Sequence, residues 1–192
     1  MTALSQRLVL LGASLCLNAC ATAPDQFYTL DVLPKDPAST LAPPLVHVLL
    51  KVDLPPLIDR AEMVINLSDN RVSILEHQRW APPLSDQVAQ TLARDMERRR
   101  SDLLVADRTF DRGKSEPVTL TVDIVRLTAE RGGHVRMEAH WRIVDAKVGM
   151  DVIGGDSFDN TAGDASFAAI ARAYSDVLSA LAERLTALVR TR

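Results

Sequence analysis

Ten residues from Leu8 to Leu17, led by Arg7 and followed three positions on by Cys20, divide this chain into a leader and the part left to fold. A membrane-spanning helix needs roughly 20 apolar residues, so a run half that long fits the core of an export signal instead. Cleavage before Cys20 removes 19 of the 192 residues, Cys16 among them, and leaves 173. That is enough for one domain with its own core. Cys20 is then the last thiol, so no internal disulfide can brace the fold, although an exported chain meets an oxidising compartment. The expected division is a leader over 1–19, a short tether over 20–26 and a single domain over 27–192, held by packing alone.

Leu17, Asn18, Ala19 and Cys20 resemble the lipobox of bacterial lipoproteins. In those proteins the cysteine thiol receives a diacylglycerol, the chain is cut before it, and the new amine is acylated. The chemistry needs a thiolate nucleophile, and the protease needs small side chains to approach the backbone. Asn18 stands where a smaller or β-branched residue is commoner. An ordinary cleaved signal, with Cys20 incidental, is the competing reading. The resemblance implies lipidation at Cys20, and two or more acyl chains anchor a protein stably without spanning the bilayer. Ala21 occupies the position where inner-membrane retention would ask for aspartate. By the same resemblance this favours the periplasmic face of the outer membrane of a Gram-negative cell.

The leader carries one of the 22 basic residues, so 21 remain against 25 acidic ones, a balance of −4. Such a surface does not recruit nucleic acid. Beyond the tether, Phe27 to Leu30 are strand formers. Pro34, Pro37, Pro43 and Pro44 punctuate a loop, and Leu45 to Val52 reads as a buried strand in which His47 is a packed or edge residue. Met63, Val64 and Ile65 form a strand whose hairpin partner is Val72 to Leu75, with Asn70 at the turn. Leu84, Val88, Leu92 and Met96 fall four apart and predict a one-sided helix with Ser85 as its N-cap. Arg98, Arg99 and Arg100 complement its C-terminal partial charge.

The phrases Phe27-Tyr28-Thr29-Leu30, Leu54-Pro55 ending in Asp59-Arg60, and Arg79-Trp80-Ala81 running to Pro83-Leu84 occur in this order behind the lipobox. Together they resemble the ABC-transport auxiliary lipoproteins, the PqiC-like family. The resemblance implies an auxiliary lipoprotein that serves intermembrane lipid transport. Its partners would be an MCE-family protein spanning the periplasm and the inner-membrane transporter components, and the lipoprotein itself would be a homo-oligomer. Arg60, Arg79 and Trp80 are the nominated partner contacts, since Arg and Trp often dominate binding energy. Their competing reading is structural, with Trp80 packed over the start of the first helix and Arg79 paired with an acidic neighbour.

The second half reads in simpler terms. Leu103 to Val105 is a short strand, Asp107 to Pro117 a charged loop, and Val118 to Ile124 a half-buried strand. Gly132 and Gly133 permit a turn into a strand with Val135, Met137, Ala139, Trp141 and Ile143 on one face. His134, Glu138 and His140 share the other face, but neighbours along a strand splay apart, so no metal site is expected. Asp151 to Phe158 can add a strand. Asp164 can cap a final helix of about 25 residues, whose apolar stripe includes Ile170, Tyr174 and Leu181. The expected class is α+β, two layers: a mainly antiparallel or mixed sheet with two main helices on one face. No nucleophile elbow, phosphate loop or free cysteine is present, so neither catalysis nor a cofactor is expected. The alternative function is a lipid carrier that holds a phospholipid between its sheet and the last helix.

Overall fold

The computed structural model describes residues 23–32, 46–68, 70–106 and 116–189. The leader, Cys20, the proline-punctuated loop and most of the charged loop lie outside them. In the described residues the strands are β1 Gln26–Tyr28, β2 Val46–Asp53, β3 Glu62–Ser68, β4 Arg71–Trp80, β5 Leu103–Ala106, β6 Val118–Ala129, β7 His134–Asp145 and β8 Met150–Thr161. The helices are α1 Leu84–Arg99 and α2 Phe167–Leu188.

The chain is α+β in two layers, with α1 and α2 side by side over a five-stranded mixed sheet of order β5-β2-β6-β7-β8. β2 is parallel to both β5 and β6, and the β6-β7-β8 meander is antiparallel. The remaining strands form a second, three-stranded sheet of order β1-β4-β3. The division has a local cause. The β3-β4 ladder passes from Glu62↔Arg79 to Met63↔Leu75, so three residues of β4 bulge out. A bulge bends its strand and strengthens the twist. Between the two sheets, only the bridge Asn66↔Glu130 joins backbone to backbone among the described residues.

Alternation builds the core. Val118, Leu120, Val122 and Ile124 face inward; a register shift follows Ile124, which turns Val125 outward and brings Leu127 and Ala129 back in. On β7 the inward row runs from Val135 to Ile143. Trp141 lies in this row, and its ring passes beneath β8 at Gly154, where a Cβ would come within 2.2 Å of the indole Cζ2. Its Nε1 donates to Asp156 Oδ2 at 2.7 Å.

Both helix starts differ from expectation. Pro83 occupies the N-cap position of α1 without a side-chain bond. The Ser85 amide donates instead to Asp59 Oδ1 at 3.2 Å, so a carboxylate from another part of the chain supplies the cap. In α2 the N-cap is Ser166, whose Oγ accepts from the Ala169 amide at 3.1 Å. Asp164 sits two residues earlier and accepts from the Ser166 amide at 2.7 Å. At the other end, Arg99 donates to Ser179 Oγ at 2.6 Å, while Arg100 pairs with Asp102 and reaches the Val189 carbonyl that ends α2. These arginines therefore join the two helices, a role additional to complementing the α1 C-terminus. No helix among the described residues is long and apolar enough to cross a membrane.

Candidate functional site

The Leu54 to Arg60 phrase folds as a tight turn, with the Pro55 carbonyl accepting from the amides of Ile58 at 3.0 Å and Asp59 at 3.1 Å. Ile58 is buried, which fixes the turn against the core. Asp59 is used by α1, and Arg60 is delivered to the start of β3. There its Nε donates to Glu62 Oε2 at 3.0 Å. On β4, register places Arg79 opposite Glu62, and Arg79 Nη2 lies 3.3 Å from Glu62 Oε1. One carboxylate thus holds two guanidinium groups, one on each oxygen. The hydrogen bond from Arg60, aided by the charge of Arg79, holds the Glu62 carboxyl below its ordinary range.

These groups line a shallow, mostly polar basin on the outer face of the small sheet, with Ile74, Glu76, His77 and Asp25. His77 Nδ1 and Asp25 Oδ1 are 2.9 Å apart, which fastens the segment before β1 to β4. Phe27 sits in register with Arg79 at the edge of this face and is 63% exposed. Each arginine carries five N–H donors and commits few of them to Glu62. The basin can therefore offer fixed, charged donors to an acidic group on a partner.

Of the three nominated contacts, the structure brings Arg60 and Arg79 together and puts Trp80 elsewhere. Trp80 alternates to the inner side, is 4% exposed, and stacks on Tyr174 of α2 with ring centroids 5.6 Å apart. It offers a partner almost no surface and packs against the last helix. Burial pushes the Tyr174 phenol well above its ordinary value. Ile170, Tyr174 and Leu181, the expected lining of a lipid pocket, are all buried in the common core. On the far face of β7, His134 approaches Asp159 at 3.5 Å and Glu138 approaches Arg126 at 3.6 Å, so these strand neighbours engage different partners.

Two residues that position the site carry no signal in the sequence. Gln87 is buried in the first turn of α1. Its Oε1 accepts from the Leu30 amide at 2.7 Å and its Nε2 donates to the Pro82 carbonyl at 3.1 Å. Ser175 Oγ accepts from the Asp31 amide at 3.0 Å. Together they tie the chain leaving β1 onto both helices, while Tyr28 O accepts from Ala81 N at 2.9 Å. Only the three-dimensional neighbourhood identifies them, because Gln and Ser on a helix are otherwise unremarkable.

No curated protein matches the chain in sequence. Among solved structures, an uncharacterised protein superposes with a TM-score of 0.73 at 15% identity, covering 88% of this chain and all of the other. Protein XCC0632 from Xanthomonas campestris superposes with a TM-score of 0.63 at 16% identity, covering 84% of this chain and 92% of its own. At such identities the likeness is one of fold. A family described as "ABC-type transport auxiliary lipoprotein component" matches residues 28–186, which takes in the turn at Pro55, the Arg60–Glu62–Arg79 cluster and both helices. With that match over most of its length, the chain belongs to the ABC-type transport auxiliary lipoprotein family.

Proposed function

We propose that this chain is a non-catalytic lipoprotein, anchored through Cys20 at the periplasmic face of the outer membrane, that docks the periplasm-spanning MCE-family protein of an intermembrane lipid transport system. The family match over residues 28–186 carries the reading. In it the lipid anchor holds the domain at the membrane, and the Arg60–Glu62–Arg79 cluster receives an acidic group of the conduit. Trp80 contributes by fixing β4 from beneath, through its stack on Tyr174. The inner-membrane transporter components engage through the conduit, and self-assembly into a homo-oligomer would match the symmetry of the partner.

The test is recovery of the MCE protein with the native lipidated chain from gently cross-linked, detergent-solubilised membranes, compared with an Arg60→Ala, Arg79→Ala double variant. The variant is expected to lose binding by at least tenfold, or about 1.4 kcal/mol, with an unchanged circular dichroism spectrum. Undiminished capture by the folded variant would remove the cluster from the interface. Absence of any MCE protein, with cross-linking verified on a known complex, would remove the docking function itself.

A further inference from the structure

Among the described residues, five of the nine exposed large apolar side chains, Phe27, Leu57, Leu67, Val72 and Ile74, belong to the small sheet or the turn before it. Val72 and Ile74 are two apart on β4, and Ile74 lines the same basin as Arg79, beside Phe27. An exposed aromatic and two aliphatic side chains, beside arginines that Glu62 holds and with Asp25 and Glu76 in the same basin, present the apolar and charged mixture of a surface that can settle at the level of lipid headgroups.

The length of chain before β1 says what lies opposite this face. Asp25 is fixed against His77 and lies five positions after Cys20. At no more than about 3.6 Å per residue, an acylated Cys20 stands within about 18 Å of Asp25. The large sheet extends the other way. Asn66 bridges Glu130 at one end of β6, whereas Thr119↔Val144 puts the β7-β8 turn, with Val148, at the other. Twelve strand residues separate the two ends, roughly 40 Å at about 3.3 Å per residue.

We infer that the outer face of the three-stranded sheet is a second membrane contact, resting on the bilayer that holds the acyl chains, with Phe27, Val72 and Ile74 in the headgroup layer. The contact rests on the reading of Cys20 as the lipid anchor. It need not be strong, because a tether this short keeps the face at an effective concentration in the millimolar range or above. Arg79, in register with Phe27, then stands beside the contact with Arg60 next to it. A conduit that engages them meets the protein at the bilayer surface, where a lipid leaving it has no aqueous gap to cross.

The experiment uses the full lipidated protein in phosphatidylethanolamine–phosphatidylglycerol vesicles, with and without bromine on the acyl chains. Phe27→Trp is compared with Val148→Trp. Both native indoles, Trp80 and Trp141, are buried and supply a constant background. Brominated lipid is expected to quench the added emission of Phe27→Trp at least twofold and to leave that of Val148→Trp unchanged. Equal emission from both variants in vesicle-bound, acylated protein overturns the contact while leaving the anchor intact. Equal quenching of both overturns the orientation. Protein whose mass shows no acyl chain overturns the anchor, and the contact with it.

Discussion

The five-stranded sheet buries one whole face beneath α1 and α2, whereas the three-stranded sheet adds Met63, Val64 and Ile65 of β3 and Trp80 of β4 to the core and leaves Phe27, Val72 and Ile74 exposed. The large sheet draws its stability from apolar area, of which a buried Leu or Ile side chain contributes about 1.5–3 kcal/mol. The small sheet has far less area to bury, and its outer face carries solvent-exposed side chains and ion pairs. In the proposed reading, structure and recognition are thus carried by different sheets, and the phrases that carry the family resemblance fall in or beside the second.

Trp80→Ala asks whether the small sheet is coupled to the helical layer or merely adjacent to it. Loss of a buried indole stacked on Tyr174 is expected to cost about 3–5 kcal/mol in chemical denaturation. A loss below 1 kcal/mol would mean that the small sheet opens independently, and the comparison would need redrawing as two separate units. Gly154→Ala probes the large sheet alone. Its new Cβ would fall 2.2 Å from the Trp141 ring, so indole or strand must shift, at about 1–3 kcal/mol. The melting temperature should fall while the Arg60–Glu62–Arg79 geometry and partner binding persist. Binding that fell in step with stability would show that the sheets do not divide the labour.

The smallest effect belongs to Glu62→Gln. Because Arg60 holds the folded-state carboxyl below its unfolded value, the pair stabilises above the unfolded value of about 4.5, and that contribution disappears as pH falls through the lower, folded value. The variant should therefore melt only slightly below the native protein at pH 7, and the difference should shrink and disappear as pH falls below the ordinary carboxylate range. A difference that grew on acidification would reverse the sign and place the stabilising charge elsewhere.

The large sheet was legible because its physics is periodic. The fourfold spacing of Leu84, Val88, Leu92 and Met96 and the alternation from Val135 to Ile143 record which side of each element faces the core. The small sheet was legible only in part. Arg60 and Arg79 could be singled out, but a bulge of three residues in β4 decides that they share Glu62, and no periodic pattern announces a bulge. Trp80 stood next to Arg79 in the sequence and so was grouped with it, although strand alternation puts neighbours on opposite faces. The caps differed for a related reason. Asp59 reaches Ser85 across a gap of 26 residues, a contact beyond any local reading.

The parallel pairing of β1 with β4 also sets how the domain bears a load. If Cys20 is the lipid anchor as proposed, tension between the lipid and the folded body enters the chain ahead of β1 and runs along its axis. The hydrogen bonds to β4, and then those from Leu30 to Gln87 and Asp31 to Ser175, are strained together in shear. Peeling, in which each bond breaks in turn, requires a pull across the strand. In the proposed arrangement, three residues of sheet followed by two polar clips therefore act as a lap joint, which would let a partner tug on the domain without unravelling it from its anchor.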